Sequence, residues 1–298
     1  MTASVLYDIP GPVTRRRTAI GTAVAGVALA GLVVLVLFQL NANGQLAGDK
    51  WGPLFNPANQ YFVAVWTALG GGLANTIIAA ALTVVLALAI GTLLAVARLS
   101  STRAYRWLVG TVIELLRGLP VVVTIYFASR VLPEPGVSLP PLWYLVIGLT
   151  AYNCVIITEI LRAGVAALPK GQTEAAMAVG LTRLQTLRMI LLPQAFRIML
   201  PALISQLVVI VKDTSLGFVV FGFSEFVRTA NTVIQFFGGQ LGVNLPLQMY
   251  VAVALVFILV NYGLGKLAEY VQRRLARGGR TAAAPQREVP ADAEVGAP

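Results

Sequence analysis

Long apolar runs alternate with short polar or basic ones along the chain, and that alternation predicts its elements. Residues 19–40 form an uncharged run of 22, enough at about 1.5 Å per residue to cross a hydrocarbon layer of about 30 Å. A secretory signal has a shorter apolar core, of about 7–15 residues, so the run reads as an uncleaved first span. Residues 41–60 turn polar around Trp51, Pro53 and Pro57 and read as a loop. Further apolar runs cover 66–97, 108–132, 142–161, 200–226 and 246–267, the third interrupted near its start by Glu114, Arg117 and Pro120. Residues 162–198 are mixed polar and basic, and 278–298 lack apolar periodicity, which predicts a disordered tail. The expected organisation is a short segment 1–18, an accessory span 19–40, a membrane domain 66–272 and the tail. The fold class is all-α, a polytopic membrane protein with about six transmembrane helices.

Composition makes the membrane assignment firm. Of 298 residues, 57% are hydrophobic and 11% charged, with a mean hydropathy of +0.80, against roughly 25% charged in a soluble domain. A soluble enzyme and a disordered chain are both excluded. The net charge of +10 would suggest nucleic acid in a soluble domain; here it follows the positive-inside bias of membrane proteins. Of the 22 basic residues, 17 fall in the proposed inner segments, three (Lys50, Arg130, Arg228) in the outer ones and two (Arg117, Lys212) within spans. That asymmetry predicts cytoplasmic termini in the cell membrane. The chain has no His, so imidazole chemistry and imidazole metal ligation are absent, and Cys154, the one cysteine, sits in an apolar run as packing.

The segment 162–198 carries the most specific pattern, Glu174-Ala175-Ala176, then Gly180, then Ile190, Leu192 and Pro193. Pro169 and Gly171 punctuate the chain, which predicts a short helix with Glu174 in its first turn, where a carboxylate suits the positive end of the dipole. Ala175 and Ala176 are small enough for a partner to approach closely, Gly180 ends or bends the helix, and a second begins near Leu184. On these residues alone the segment is either a docking element or an ordinary interfacial helix.

This spacing resembles the EAA loop of ABC importer permeases. The surrounding residues, Glu159 to Gly164, Pro169 to Gln172, Leu192 to Ala195 and Lys212-Asp213-Thr214-Ser215-Leu216, are similar to those of the polar amino-acid family of histidine, glutamine and glutamate permeases. Asn75-Thr76 and Glu114 to Pro120 add to the likeness, which covers about residues 69–270 and looks most like the glutamate permeases. The N-terminal span, the basic tail and Gly217-Phe218 depart from the pattern. The resemblance implies the type I ABC importer transmembrane fold and import of a polar amino acid, glutamate foremost. It also implies a second permease subunit, two ABC ATPase subunits and an extracytoplasmic solute-binding protein. Glu174, Ala175, Ala176, Gly180, Leu192 and Pro193 would then couple to the ATPase.

No Lys is followed by Ser or Thr, so the chain lacks the G-x4-G-K-[ST] phosphate loop. No cofactor is expected on it, and ATP and magnesium are expected on the partner ATPase. Charged and polar residues inside the spans are the candidates for a substrate path. Glu114/Arg117 and Glu159/Arg162 have i,i+3 spacing and read as neutralising pairs. Lys212-Asp213 lies within a span, where a lone charge costs roughly 2.5–3.5 kcal/mol. A local helix break at Thr214, Ser215 and Gly217 lining a wet path would make it tolerable, and a buried structural pair is the alternative. Asn75, Thr76 and Asn153 are interhelical hydrogen-bond partners or path residues. The competing function is an ion-coupled secondary amino-acid transporter, which would need an unneutralised intramembrane carboxylate; a purely structural scaffold would need no path charges.

Overall fold

The computed structural model describes residues 11–100, 103–136 and 138–279. Every regular element among them is helical: α1 (Pro12–Ala42), α2 (Gly48–Phe55), α3 (Phe62–Ser100), α4 (Arg103–Gly118), α5 (Val121–Val131), α6 (Pro141–Ala166), α7 (Lys170–Ala178), α8 (Arg183–Thr186), α9 (Leu192–Asp213), α10 (Phe226–Leu241) and α11 (Pro246–Gly279). Five helical stretches are long and apolar enough to cross a membrane, and counting the bent pair α4–α5 as one span gives six. The tail expected from 278 begins, at 278 and 279, as the end of α11; its remainder lies outside the described residues, as does much of segment 1–18.

The chain divides into two units. The first comprises residues up to Trp66 together with 234–249. Its helix α1 starts at Pro12 rather than at 19, and no residue of it is buried, so its apolar side chains are left for lipid. The stretch expected as a loop contains α2, fixed by the Trp66 indole donating to Leu54 O at 3.0 Å. The ring of Tyr61 meets Phe237 edge-on at 5.2 Å, and Gln248 donates to Gln45 O at 2.6 Å.

The second unit comprises 67–233 and 250 onward. Its centre is α6, the most buried of the long apolar helices, packed most extensively against α5 and α9. Thr158 of α6 donates to Gly91 O of α3 at 3.0 Å, so the helices are tied through backbone as well as through one apolar cluster that holds Ala87 and Ala95 of α3, Ile113 of α4, and Val155, Ile157 and Leu161 of α6. The expected third span is not one helix. Pro120 cannot supply an N–H and disfavours helical backbone at Leu119, and α4 and α5 meet there at 101°.

The expected fifth span also differs. Helix α9 stops at Asp213 and gives way to a 3-10 turn, Thr214–Val219, while a π-type turn, Leu187–Leu191, joins α8 to its start. Helix α10 is absent from the expected elements, although Phe226, Ala230, Val233 and Phe237 recur at helical spacing and are all buried.

Candidate functional site

The loop between α6 and α9 folds as its residue chemistry directs. Pro169 caps the N-terminus of α7, and the helix ends in a Schellman arrangement: Gly180 N donates to Met177 O at 3.0 Å and Leu181 N to Ala176 O at 3.1 Å. Gly180 has φ +88°, a left-handed conformation that costs a side-chain-bearing residue about 1–2 kcal/mol. Thr182 then starts α8 with a capping box, its Oγ1 accepting from Gln185 N while Gln185 Oε1 accepts from Thr182 N at 2.9 Å. Pro193 takes the second position of α9, where no intrahelical donor is needed.

Two details correct the expectation. Helix α7 begins at Lys170, so Glu174 is its fifth residue and no acid occupies the first turn; Pro169 sets the start earlier than the carboxylate suggested. Ala176 is buried against its own chain, while Glu174, Ala175, Met177 and Val179 are among the exposed residues of α7 and its cap, with Lys170, Gly171 and Ala178. Leu192 is half-buried and Pro193 exposed. Met177 and Val179, large apolar side chains bare at the helix end, were legible as apolar neighbours of the Glu-Ala-Ala run but do not figure among the expected coupling residues.

A charge cluster ties the lower helices together. Arg98 of α3 hydrogen-bonds Glu159 of α6 and lies 3.8 Å from Glu114 of α4, and Glu159 also accepts from Arg162 at 2.9 Å. The expected Glu159/Arg162 pair forms. Glu114 instead turns to Arg98, and Arg117 is exposed at the α4–α5 corner. An i,i+3 spacing permits a pair; the neighbouring helix decides it.

The break after α9 assembles most of the remaining candidates. Thr214, fully buried, donates to Val211 O at 2.6 Å and Ser215 to Lys212 O at 2.7 Å, so hydroxyls take up carbonyls that the ended helix releases. A Cβ on Gly217 would stand 2.9 Å from Leu145 and 3.1 Å from Glu225, so only glycine lets the turn seat against α6. Lys212 is exposed and Asp213 half-buried.

The chain resumes as a helix at the same level. Ile210 and Val211 pack with Ala80, Val84, Val260 and Leu264, while Phe226 donates its N–H to Thr76 Oγ1 at 3.0 Å and meets Phe257 edge-on. Residues 76–84 are the middle of the 39-residue α3, so the backbone opens halfway along that helix. Asn75 donates to Ser224 O at 2.9 Å; Asn75 and Thr76 thus hold the returning strand of chain. Asn153 is fully buried and accepts from Gln206 at 2.6 Å across α6 and α9.

Sequence reasoning missed Glu225 and Arg228, which lock the break. The carboxylate of Glu225, completely buried, accepts from the N–H groups of Val227 and Arg228 and caps α10. Arg228 reaches back to Phe218 O at 3.3 Å and Val220 O at 2.9 Å. A Ser-Glu pair preceding the apolar periodicity of α10 was the available signal. Among the described residues no group of three or more His, Cys, Asp or Glu is placed to hold a metal ion.

A helical membrane bundle with one span broken level with the middle of another, and a short exposed helix between two spans, is the architecture of a transport subunit. Residues 87–277 match the family of binding-protein-dependent transport system inner membrane components, and the chain belongs to that family. It is 40% identical over 244 residues to the glutamate transport system permease protein GluD of Corynebacterium glutamicum, covering 80% of this chain and 85% of that one. With the glutamate/aspartate import permease protein GltK of Escherichia coli it shares 31% over 213 residues, 69% of this chain and 92% of the relative. A crystal structure of an amino acid ABC transporter with histidines superposes with a TM-score of 0.63 at 26% identity, covering 72% of this chain and 96% of that one.

Proposed function

We propose that this chain is the permease subunit through which an ABC importer passes an acidic amino acid, glutamate foremost, across the cell membrane. The observation that carries the substrate is the 40% identity with GluD across 80% of the chain. The exposed surface of α7 supports the coupling role: Glu174, Ala175, Met177 and Val179 would seat in a groove of a partner ATPase that binds ATP and magnesium. Gly180 and the Leu192-Pro193 start of α9 fix how α7 is presented. Closure of two such ATPases would pull α7, and with it α6 and the Arg98–Glu159 link to α3, so that the path opens alternately to the two sides. A second permease subunit would supply the facing wall, and an extracytoplasmic solute-binding protein would deliver the amino acid. The 17-to-3 distribution of basic residues supports cytoplasmic termini, with α1 as a lipid-facing anchor. Lys212, Asp213 and Ser215 at the break are the path residues, with the buried Thr214 holding the turn behind them and Asn75, Thr76 and Arg117 bordering the segments that move. Asn153, wholly buried against Gln206, serves helix packing.

The test is uptake by the complex reconstituted with its ATPase and binding protein, using labelled glutamate with glutamine and arginine as competitors. ATP-dependent glutamate uptake that persists when ion gradients are collapsed is expected. Uptake driven by an ion gradient without ATP would refute the importer reading in favour of a secondary transporter.

A further inference from the structure

We propose that the end of α11 is a binding site for anionic phospholipid, with the phosphate held by Lys266 and Arg274 and the acyl chains laid along the bare apolar face that precedes them. From Pro246 to Gly265, twenty residues pass without a charge. At about 1.5 Å each they span about 30 Å, the thickness of the hydrocarbon layer. Lys266 is therefore the first charge of the helix at the lipid boundary, and Arg274 stands about 12 Å further along.

Tyr262, Lys266, Tyr270 and Arg274 follow one another at intervals of four, so each side chain stacks on the turn before it. All four are exposed. The Lys266 ammonium lies 5.6 Å from the centre of the Tyr262 ring, and Arg274 Cζ lies 5.2 Å from that of Tyr270. Each cation is thus folded back along the helix toward its apolar stretch, the direction in which headgroups lie. A ring face attracts a cation without neutralising it. Glu269 is the carboxylate in reach, and it is shared: its Oε2 is 3.2 Å from Lys266 and 3.3 Å from Arg273. Among the described residues Arg274 has no carboxylate partner. Three cations against one acid leave a net charge of +2 on this surface, and Lys266, with three N–H donors, can take a phosphate oxygen beside Glu269. A juxtamembrane cluster of this sign draws anionic headgroups, whereas a zwitterionic headgroup would bring its own cation against it. Tyrosine, apolar in the ring and polar at the hydroxyl, suits the membrane interface, which favours lipid over a soluble partner. Leu255, Ile258 and Leu259, all bare, continue the same face of the helix toward its start and supply the surface that acyl chains need.

The experiment is titration of the full-length chain, purified in detergent with its co-purifying subunits and stripped of lipid. The probes are fluorescently labelled phosphatidylglycerol and, separately, phosphatidylcholine with the same acyl chains. Saturable binding of phosphatidylglycerol is expected, tighter than that of phosphatidylcholine and weakened by salt. Lys266→Gln and Arg274→Gln should each weaken it by about five-fold, the loss of one cation beside an anionic surface, and together by about 25-fold. Arg274→Lys should keep most of the affinity. Tyr270→Leu, which removes the ring under Arg274 and keeps an apolar side chain, should cost about 2- to 5-fold. The unfolding temperature, read by a dye that reacts with Cys154, should be unchanged at these exposed positions; if one of the Gln variants fails to fold, the other carries the test. Phosphatidylglycerol binding no tighter than that of phosphatidylcholine, or unchanged in the double Gln variant, would overturn the site. Loss of a co-purifying subunit from the double variant would make this face a protein interface and overturn the proposal likewise.

Discussion

Asn153 and Gln206 offer a test of packing in which one bond has a measurable worth. Both side chains are buried, the amide of Gln206 donating to Asn153 Oδ1 at 2.6 Å, while Asn153 Nδ2 donates to Leu149 O at 2.8 Å. Gln206→Leu leaves Asn153 Oδ1 without a donor; Asn153→Leu leaves the Gln206 amide without an acceptor. Each orphaned group costs about 1–3 kcal/mol. Replacing both, as Asn153→Leu with Gln206→Met, removes both polar groups, and the double variant should be more stable than the sum of the singles predicts. Coupling between such partners in a membrane averages about 0.6 kcal/mol and reaches about 1.7. The chain carries its own reporter, since Cys154, the one cysteine, is buried beside Asn153. A thiol-reactive dye that fluoresces on modification reads its exposure during heating. At about 2–4 °C per kcal/mol, each single variant should unfold roughly 2–12 °C below the wild type, with the double variant recovering part of that. The double variant should also retain uptake. Additive losses would refute the hydrogen bond as the source of stability, and a stable double variant that assembles but does not transport would place Asn153 in the path.

Other consequences follow from the coupling surface, the charge cluster and the break. Gly180→Leu, forced into φ +88°, should loosen the end of α7 by about 1–2 kcal/mol and reduce both ATPase co-purification and uptake; unchanged values at equal expression would refute the role of the bend. Glu174→Lys should leave insertion intact and weaken ATPase retention, measured by pull-down from membranes. Arg98→Glu should lower substrate-stimulated ATPase activity more than basal activity, and adding Glu159→Arg should restore part of it; no recovery in the double reversal would mean that the contact is not what links α3 to α6. Glu225→Leu removes both acceptors that cap α10 and should lower the unfolding temperature by several degrees, with Glu225→Gln intermediate, since caps are worth about 1 kcal/mol.

Much of the architecture is written in hydropathy and punctuation. Apolar runs of more than 20 residues have to lie in lipid as helices, because nothing else satisfies their backbone there, so the class, the number of spans and the basic loops between them are local properties of the chain. The Gly180 bend and the Thr182 start are equally local, since a left-handed φ and a capping hydroxyl depend on one or two residues. The Lys212-Asp213 pair could be expected to break a helix for the same reason: two charges in an apolar run demand water or partners.

What the sequence left open is every choice between partners. Glu114 has Arg117 at helical spacing, yet Arg98 from α3 claims it. Asn153 reads equally as a path residue or a packing residue until Gln206 is seen opposite it. Glu225, an acid among apolar residues, shows its purpose only when the turn returns and places two free N–H groups at its oxygens. Lys212 and Asn261, 49 positions apart, line one groove only because α9 stops beside α11. Spacing along one helix specifies which face a side chain occupies, but the energy of a buried polar group is set by what lies across from it, and that is decided by packing.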